Sequence, residues 1–158
     1  MTRDDILALL VRRLAALKAR DAAALAAMHA HSGIVTSPIG GVLEGREDIQ
    51  RIYRVWFAAF PDVATHQDAV LVDGNRGVQI LRFSGTHAGE FFGFSPTGHH
   101  IEITLVSLLT LRDGFITEER RIYEFTGLLV QVGILKARPQ ADPIYEEQGT
   151  RDRRPRDP

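Results

Sequence analysis

The sequence contains no cysteine among its 158 residues. This absence excludes disulfide bonds, thiolate nucleophiles and zinc sites built on cysteine ligands. An excess of one charge is also missing, because 19 Lys and Arg residues stand against 20 Asp and Glu residues. Such a balance argues against a protein that coats nucleic acid or an acidic membrane.

Long hydrophobic runs are absent as well. No segment approaches the roughly 20 continuous apolar residues that cross a bilayer. The first residues, MTRDD, contain two acids and lead into an amphipathic run, which is not the pattern of a secretory signal. We therefore expect no membrane partner and a cytoplasmic location. With 44% hydrophobic and 25% charged residues, the composition is that of one globular domain.

The predicted elements come in the order helix, helix, short hairpin, helix and four long strands. Apolar spacing predicts helices within 4–31, with a break near Asp21, and within 46–60, and a short terminal helix is expected at 126–135. The strands are expected at 34–37, 42–43, 66–72, 78–86, 99–111 and 115–125. Helices followed by antiparallel strands indicate an α+β fold with helices on one face of a curved sheet.

From Lys136 onward the composition changes to proline and charged residues. Only Ile144 and Tyr145 are large and apolar there, so the segment cannot bury enough surface to offset its ordering entropy. Its arginines alternate with acids, which favours a solvated tail over a nucleic-acid-binding one. We therefore predict one domain over 1–135 and a polar, flexible tail over 136–158.

Two stretches carry a family resemblance, TSPIGGVLEGREDIQRIYRVWFAAFPDV at 36–63 and the segment 83–133. The second contains, in order, GTHAGEF, PTG, a long strand, an RDG hairpin and a strand that ends in an acid before GLL. From about Val11 to Gly133 the chain resembles the SnoaL-like polyketide cyclases of the NTF2-like superfamily. This resemblance implies a cone, in which a curved antiparallel sheet and three helices enclose a pocket.

The last predicted strand has two sets of alternating side chains. The resemblance places the even-numbered set, with Glu118, Arg120 and Glu124, toward the interior of the cone. It also implies that Glu124, which stands where the family usually has Asp, is the general acid and base. Arg120 stands where these cyclases often have Trp, and Ser107 where they often have an inward His.

Two interpretations of these charged residues stay open. Glu118 and Arg120 lie about 7 Å apart along a strand and can form a structural ion pair, or Arg120 can bind a substrate carboxylate or an enolate oxygen. Glu124 among apolar neighbours would have a raised pKa and could remove a proton α to a carbonyl. At the mouth of the cone it would simply be solvated.

Other candidates for substrate binding come from the third helix and the loops. Tyr53 and Trp56 lie three residues apart and can both face the pocket, although aromatics at this spacing also form cores. Ser37 is a weaker polar candidate beside the pocket. His87 lies in the GTHAGEF loop, where packing is a stronger explanation than catalysis. The six histidines form no recognisable metal motif, so no metal site is expected.

The resemblance implies an enzyme without a cofactor that performs aldol-type cyclisation or isomerisation on a hydrophobic carbonyl compound. The alternatives are an epoxide hydrolase, or another hydrolase, on the same fold and a non-catalytic module for ligand binding or dimerisation. Because the family commonly forms dimers, the expected partners are a hydrophobic small molecule and a second copy. Candidates for the dimer contact are the outward residues Val106, Leu108 and Tyr123.

Overall fold

A computed structural model describes residues 1–136, and its elements follow the predicted order. The helices are α1 (Arg3–Ala19), α2 (Ala22–Ala27), α3 (Gly45–Ala59) and α4 (Phe125–Gln131). The strands are β1 (His29–Ser37), β2 (Gly41–Glu44), β3 (Ala64–Asp73), β4 (Arg76–Thr86), β5 (His100–Arg112) and β6 (Phe115–Ile122). Of the predicted tail only Lys136 lies among the described residues. Within residues 1–136, no helix combines the length and apolar character needed to cross a membrane.

The predicted break between the first two helices is confirmed and has a local cause. A capping box between Thr2 and Asp5 begins α1, and Arg20 ends it in the left-handed conformation at φ 55°. Asp21 then begins α2 by accepting the backbone N–H of Ala24 at 2.9 Å. The chain therefore changes direction between the two helices instead of continuing as one.

The α+β fold with a curved sheet is confirmed, with one difference in the pairing of the strands. The six strands lie in the order β2-β1-β6-β5-β4-β3, and β1 runs parallel to β6 while the other pairs are antiparallel. The prediction of a purely antiparallel sheet is wrong at this pair, because local periodicity does not report which distant strands meet. Strand β1 also begins at His29, so His29 and His31 lie on a strand and not at a helix end.

Helices pack on the inner face of the sheet and bury two apolar clusters. The larger cluster lies between α2, α3 and the sheet and includes Leu25, Ile49 and Phe60, each with an exposed fraction of 0%. The smaller cluster joins α1 to the β5–β6 hairpin and consists of Ile6, Leu9, Leu10, Leu109, Leu111 and Ile116. The larger cluster also reaches the candidate site, because its residues Leu17, Leu81 and Leu105 line that site.

A β-bulge in β6 decides which of its side chains face inward. Leu111 of β5 pairs with Ile116. The residue before it on β5, Thr110, pairs with Glu118 and not with Thr117. Thr117 is therefore an extra residue on β6, and the alternation of faces shifts by one position after it. Ile116, before the bulge, is buried in the smaller cluster.

Beyond the bulge the inward side chains are the odd-numbered ones. Glu119, Arg121 and Tyr123 have exposed fractions of 2%, 6% and 8%. Glu118 and Arg120 are exposed on the outer face. The prediction that the even-numbered set faces the interior is therefore wrong, because it assumed an unbroken alternation through Thr117.

Candidate functional site

A cavity lies between the inner face of the sheet and helices α1 and α3. Its free volume, taken as the space open to the centre of a water molecule, is about 40 Å³. The wall is mostly apolar and includes Leu17, Trp56, Phe57, Leu81, Phe83 and Leu105. The polar side chains in the wall are Arg13, Ser37, Tyr53, Arg121 and Tyr123. An apolar wall with a few convergent polar groups is the usual construction of a small-molecule site.

Glu119 is the centre of a buried network behind this wall. Its Oε1 accepts hydrogen bonds from Arg13 Nη2 at 2.6 Å and from Arg121 Nε at 3.1 Å. The same oxygen accepts the hydroxyl of Ser107 at 2.9 Å. Its Oε2 accepts a hydrogen bond from Arg121 Nη2 at 3.2 Å and lies 3.2 Å from His29 Nε2. Both carboxylate oxygens are therefore occupied.

The charge state of Glu119 follows from these contacts. Burial by itself raises its pKa, but the guanidinium groups of Arg121 and Arg13 and the contact with His29 outweigh burial and hold the pKa well below its usual range. Glu119 is therefore ionised throughout the neutral pH range. A carboxylate that is bonded at both oxygens and has a low pKa is a poor general base.

Arg13 connects the network to the cavity. Its Nη1 donates to Gln79 Oε1 at 2.6 Å, and Gln79 in turn donates to the carbonyl oxygen of Leu10 at 3.1 Å. Its Nη2 also donates to the hydroxyl oxygen of Tyr53 at 3.3 Å. Because that oxygen accepts from Arg13, the phenolic proton of Tyr53 is free to donate toward the cavity.

Arg121 presents a charged group to the same space. Its Cζ atom lies 4.5 Å from the centroid of the Tyr53 ring, which is a cation–π geometry. Burial alone lowers the pKa of Arg121, but the adjacent Glu119 outweighs burial and raises that pKa. The guanidinium group therefore stays charged despite an exposed fraction of 6%.

Tyr123 supplies a second phenol to the wall. Its hydroxyl lies 3.3 Å from Ser37 Oγ and accepts the backbone N–H of Ile39 at 3.4 Å. Burial raises the pKa of Tyr123, and these hydrogen bonds and the charge of Arg121 only partly offset the increase. Tyr123 is therefore a neutral proton donor at physiological pH. Its phenol, the phenol of Tyr53 and the guanidinium of Arg121 are the donors that the mostly apolar wall offers to a ligand.

The structure brings some of the predicted site residues to this cavity. Tyr53, Trp56 and Ser37 lie in its wall. Ser107 is buried and belongs to the Glu119 network behind the wall. The catalytic or binding roles assigned to these residues stay predictions.

Three other predicted residues lie elsewhere. Glu118 and Arg120 are on the outer face of the sheet, and no ion pair joins them within residues 1–136. Glu124 is exposed at the beginning of α4, its side chain makes no capping hydrogen bond, and it is not in the cavity wall. The structure thus does not bring the proposed acid–base group and its proposed partners together.

His87 is a packing residue of the loop that follows β4. Its Nδ1 accepts the backbone N–H of Thr97 at 3.3 Å, so the ring proton lies on Nε2. That nitrogen is buried without a hydrogen-bond partner among the described residues, in a ring that lies 5.5 Å from Phe60 and 6.1 Å from Phe91. Burial lowers the pKa of His87, which keeps the imidazole neutral.

The residues that sequence reasoning missed are those of the network, Arg13, His29, Gln79, Glu119 and Arg121. One signal for Arg13 was present, because it occupies the apolar stripe of α1 between Leu10 and Leu17. A charged residue at such a position needs a buried partner. Within residues 1–136, no group of three or more His, Asp or Glu side chains is placed to hold a metal ion.

Comparison with known proteins gives a family and a fold. Residues 8–132 match the family model described as SnoaL-like polyketide cyclase. No curated protein matches the chain.

Three solved structures with 24% sequence identity illustrate the shared fold. AclR from Streptomyces galilaeus, a proposed hydroxylase, has a TM-score of 0.77 over 88% of this chain and 87% of its own. TsrD from Streptomyces laurentii has a TM-score of 0.75 over 85% of this chain and 99% of its own. IdmH from Streptomyces antibioticus, a proposed polyketide cyclase, has a TM-score of 0.67 over 79% and 96%.

Replacing Glu119 by Gln is expected to destabilise the fold strongly. The change leaves two buried guanidinium groups without their counter-charge, and breaking a buried ion pair costs about 3–5 kcal/mol. The matched control is Glu90→Gln, at an exposed position of the loop after β4, for which we expect a change within about 0.5 kcal/mol. Urea unfolding followed by circular dichroism measures both, and equal midpoints for the two variants would contradict the network.

The buried neutral His87 predicts a dependence of stability on pH. Because its folded pKa lies below the unfolded value, the unfolded chain binds more protons in acid, and stability falls as pH drops below about 6.5. The limit for one proton is about 1.4 kcal/mol per pH unit. His87→Gln should flatten the urea midpoints between about pH 5 and 7.5, and His31→Gln, at an exposed histidine, should not. Parallel curves for wild type and His87→Gln would refute this.

Proposed function

The chain belongs to the SnoaL-like polyketide cyclase family, and we propose that it is a cofactor-independent enzyme that cyclises or isomerises a hydrophobic carbonyl compound. The observation that carries this proposal is the set of donors in the cavity wall. The phenols of Tyr53 and Tyr123 and the guanidinium of Arg121 converge on an apolar space. Such donors suit a carbonyl oxygen on which negative charge develops.

The chemistry follows from the position of these donors. When a proton leaves the carbon α to a carbonyl group, charge moves to the oxygen, and fixed donors stabilise the resulting enolate. In ring closure the enolate carbon then bonds to a second carbonyl carbon, whose oxygen takes up a proton. Tyr53 has a free phenolic proton and Tyr123 is neutral, so both serve as donors to these oxygens.

Neither Glu119 nor Glu124 is placed to accept this proton. Both oxygens of Glu119 already accept hydrogen bonds from arginines, and Glu124 lies outside the cavity wall. A carbon between two carbonyl groups is acidic enough for water to accept its proton. In this proposal the protein therefore acts by stabilising the oxyanion and holding the substrate, not by a strong base. The description of IdmH as a proposed polyketide cyclase supports the same reaction class.

A second candidate function is a non-catalytic module for ligand binding or dimerisation, and the small volume of the cavity favours it over an enzyme for drug-sized substrates. Sites for drug-sized ligands usually measure about 300–1,000 Å³, against about 40 Å³ here. A larger ligand enters only if the partly buried rings of Trp56, Phe57 and Phe83 move aside. The hydrolase alternative lacks such support, because Glu119 has no oxygen left to activate water.

The outer face of the sheet is the candidate surface for binding a second copy of the chain. It exposes a group of apolar side chains, Ile34, Leu71, Leu108 and Ile122, with exposed fractions of 38–61%. Glu118 and Arg120 on the same face would let opposite charges meet across a two-fold axis. We propose that a second copy binds here. Tyr123 points to the cavity, so its expected place in this contact is wrong.

The dimer is tested by light scattering at micromolar concentration. We expect twice the monomer mass for the wild type and the monomer mass for Leu108→Glu, because a charge buried at the centre of the contact is costly. Leu135→Glu, at an exposed leucine that follows α4, is the control and should remain dimeric. A monomeric wild type would rule the proposal out.

Turnover is tested with 1-phenylbutane-1,3-dione, whose keto–enol interconversion is followed by absorbance. The wild type is expected to accelerate the interconversion. Tyr123→Phe keeps the ring and removes the donor, so kcat/KM should fall by about 10²-fold. Arg54→Gln, at an exposed position on α3, should leave the rate within about twofold, as surface changes usually do.

Two outcomes would contradict the proposal. If Glu124→Gln abolishes the acceleration and Tyr123→Phe does not, Glu124 is the general acid and base, as the family resemblance implies. If the wild type binds the diketone, seen as shifts of amide resonances, but does not accelerate its interconversion, the binding module is the better description.

A further inference from the structure

The network behind the cavity contains more positive than negative charge. Arg13 and Arg121 together contribute two positive charges, and Glu119 contributes one negative charge. The side chains of these three residues have exposed fractions of 2%, 5% and 0%. A buried charge without a counter-charge costs several kcal/mol, so this place in the fold favours an additional anion.

His29 does not supply the missing negative charge. Its Nδ1 lies 3.0 Å from the carbonyl oxygen of Leu25, and its Nε2 lies 3.2 Å from Glu119 Oε2. Both neighbours are hydrogen-bond acceptors, so the imidazole contributes either no charge or a further positive one. Tyr123 stays a neutral phenol because burial raises its pKa.

The guanidinium of Arg121 has a donor left for such an anion. Its Nε and Nη2 are bonded to Glu119, while Nη1 makes no hydrogen bond to any residue of 1–136. Arg121 lies in the cavity wall together with the hydroxyl groups of Tyr123 and Ser37. A planar guanidinium with a free N–H edge matches a carboxylate, and the bond is strengthened by both charges.

We infer that the substrate is a keto acid, whose ionised carboxylate binds Arg121 and whose carbonyl oxygen faces the phenols. This inference rests on the proposed function, because it concerns the same cavity. A neutral ketone at Arg121 would leave the buried charge uncompensated, whereas a carboxylate balances the two guanidinium groups against two carboxylates. The apolar body of the acid then lies against Leu81 and Leu105, in the space that opens when the partly buried rings of Trp56, Phe57 and Phe83 move aside.

The inference is tested with benzoate and benzamide, which share a ring and nearly the same shape but differ in charge. Calorimetric titration at neutral pH is expected to show benzoate binding at least about tenfold more tightly, a difference of about 1.4 kcal/mol. Arg121→Gln should remove this preference. Arg54→Gln changes the net charge equally at an exposed position of α3 and should preserve it.

Arg121→Gln risks unfolding, because it breaks the pair with Glu119. A measurement on the wild type avoids this risk. In protein labelled with ¹⁵N-arginine, benzoate should shift the Arg121 side-chain resonance, which is assigned by its loss in Arg121→Lys, and benzamide should not. Equal affinity for both probes, or an Arg121 resonance that does not respond to benzoate, would overturn the inference.

These results separate the inference from the proposed function. The diketone used to test turnover carries no carboxylate. Acceleration of its interconversion without a preference for benzoate would refute only the keto-acid inference. A preference for benzoate without acceleration would support the carboxylate site and refute the proposed catalysis.

Discussion

The ionised Glu119 between two guanidinium groups is the interaction on which the site depends. Arg13 reaches it from α1, His29 from β1, Ser107 from β5 and Arg121 from β6. One carboxylate therefore joins a helix to three strands of the sheet. An unpaired charge would be costly in this buried place, so the helix and the strands are held at a fixed spacing. That spacing gives the cavity its shape.

The inward position of Glu119 depends in turn on the bulge at Thr117. The segment Glu118-Glu119-Arg120-Arg121 is a doublet of acids followed by a doublet of bases. One Glu and one Arg face inward whether the even-numbered or the odd-numbered residues do so. Residue type therefore does not show which face of the strand is the inner one. Only the pairing with Thr110 and Leu111 across the hairpin shows where the extra residue lies. This is why the sequence predicted an inward pair of Glu118 and Arg120, whereas the structure has the inward pair at Glu119 and Arg121.

Features specified by neighbouring residues were predictable. The Asp21 cap separates two helices, the RDG turn joins two strands, and ordered motifs indicated the family. Features that depend on contacts between distant segments of the chain were not predictable. The network pairs Arg13 with a residue 106 positions away, and the parallel β1–β6 pair joins residues 84–87 positions apart. A charged residue in the apolar stripe of α1 was a local sign that such a partner exists, but it could not identify Glu119.

The same network limits the chemistry available to the cavity. Satisfying two buried guanidinium groups uses both oxygens of the carboxylate nearest the cavity, so that group cannot also accept a proton from a substrate. What remains on the wall are donors, the phenols and the guanidinium edge. A site of this composition stabilises charge that the substrate itself can develop. It therefore suits carbon acids that ionise readily, such as compounds with a carbon between two carbonyl groups, and does not suit reactions that need a strong base.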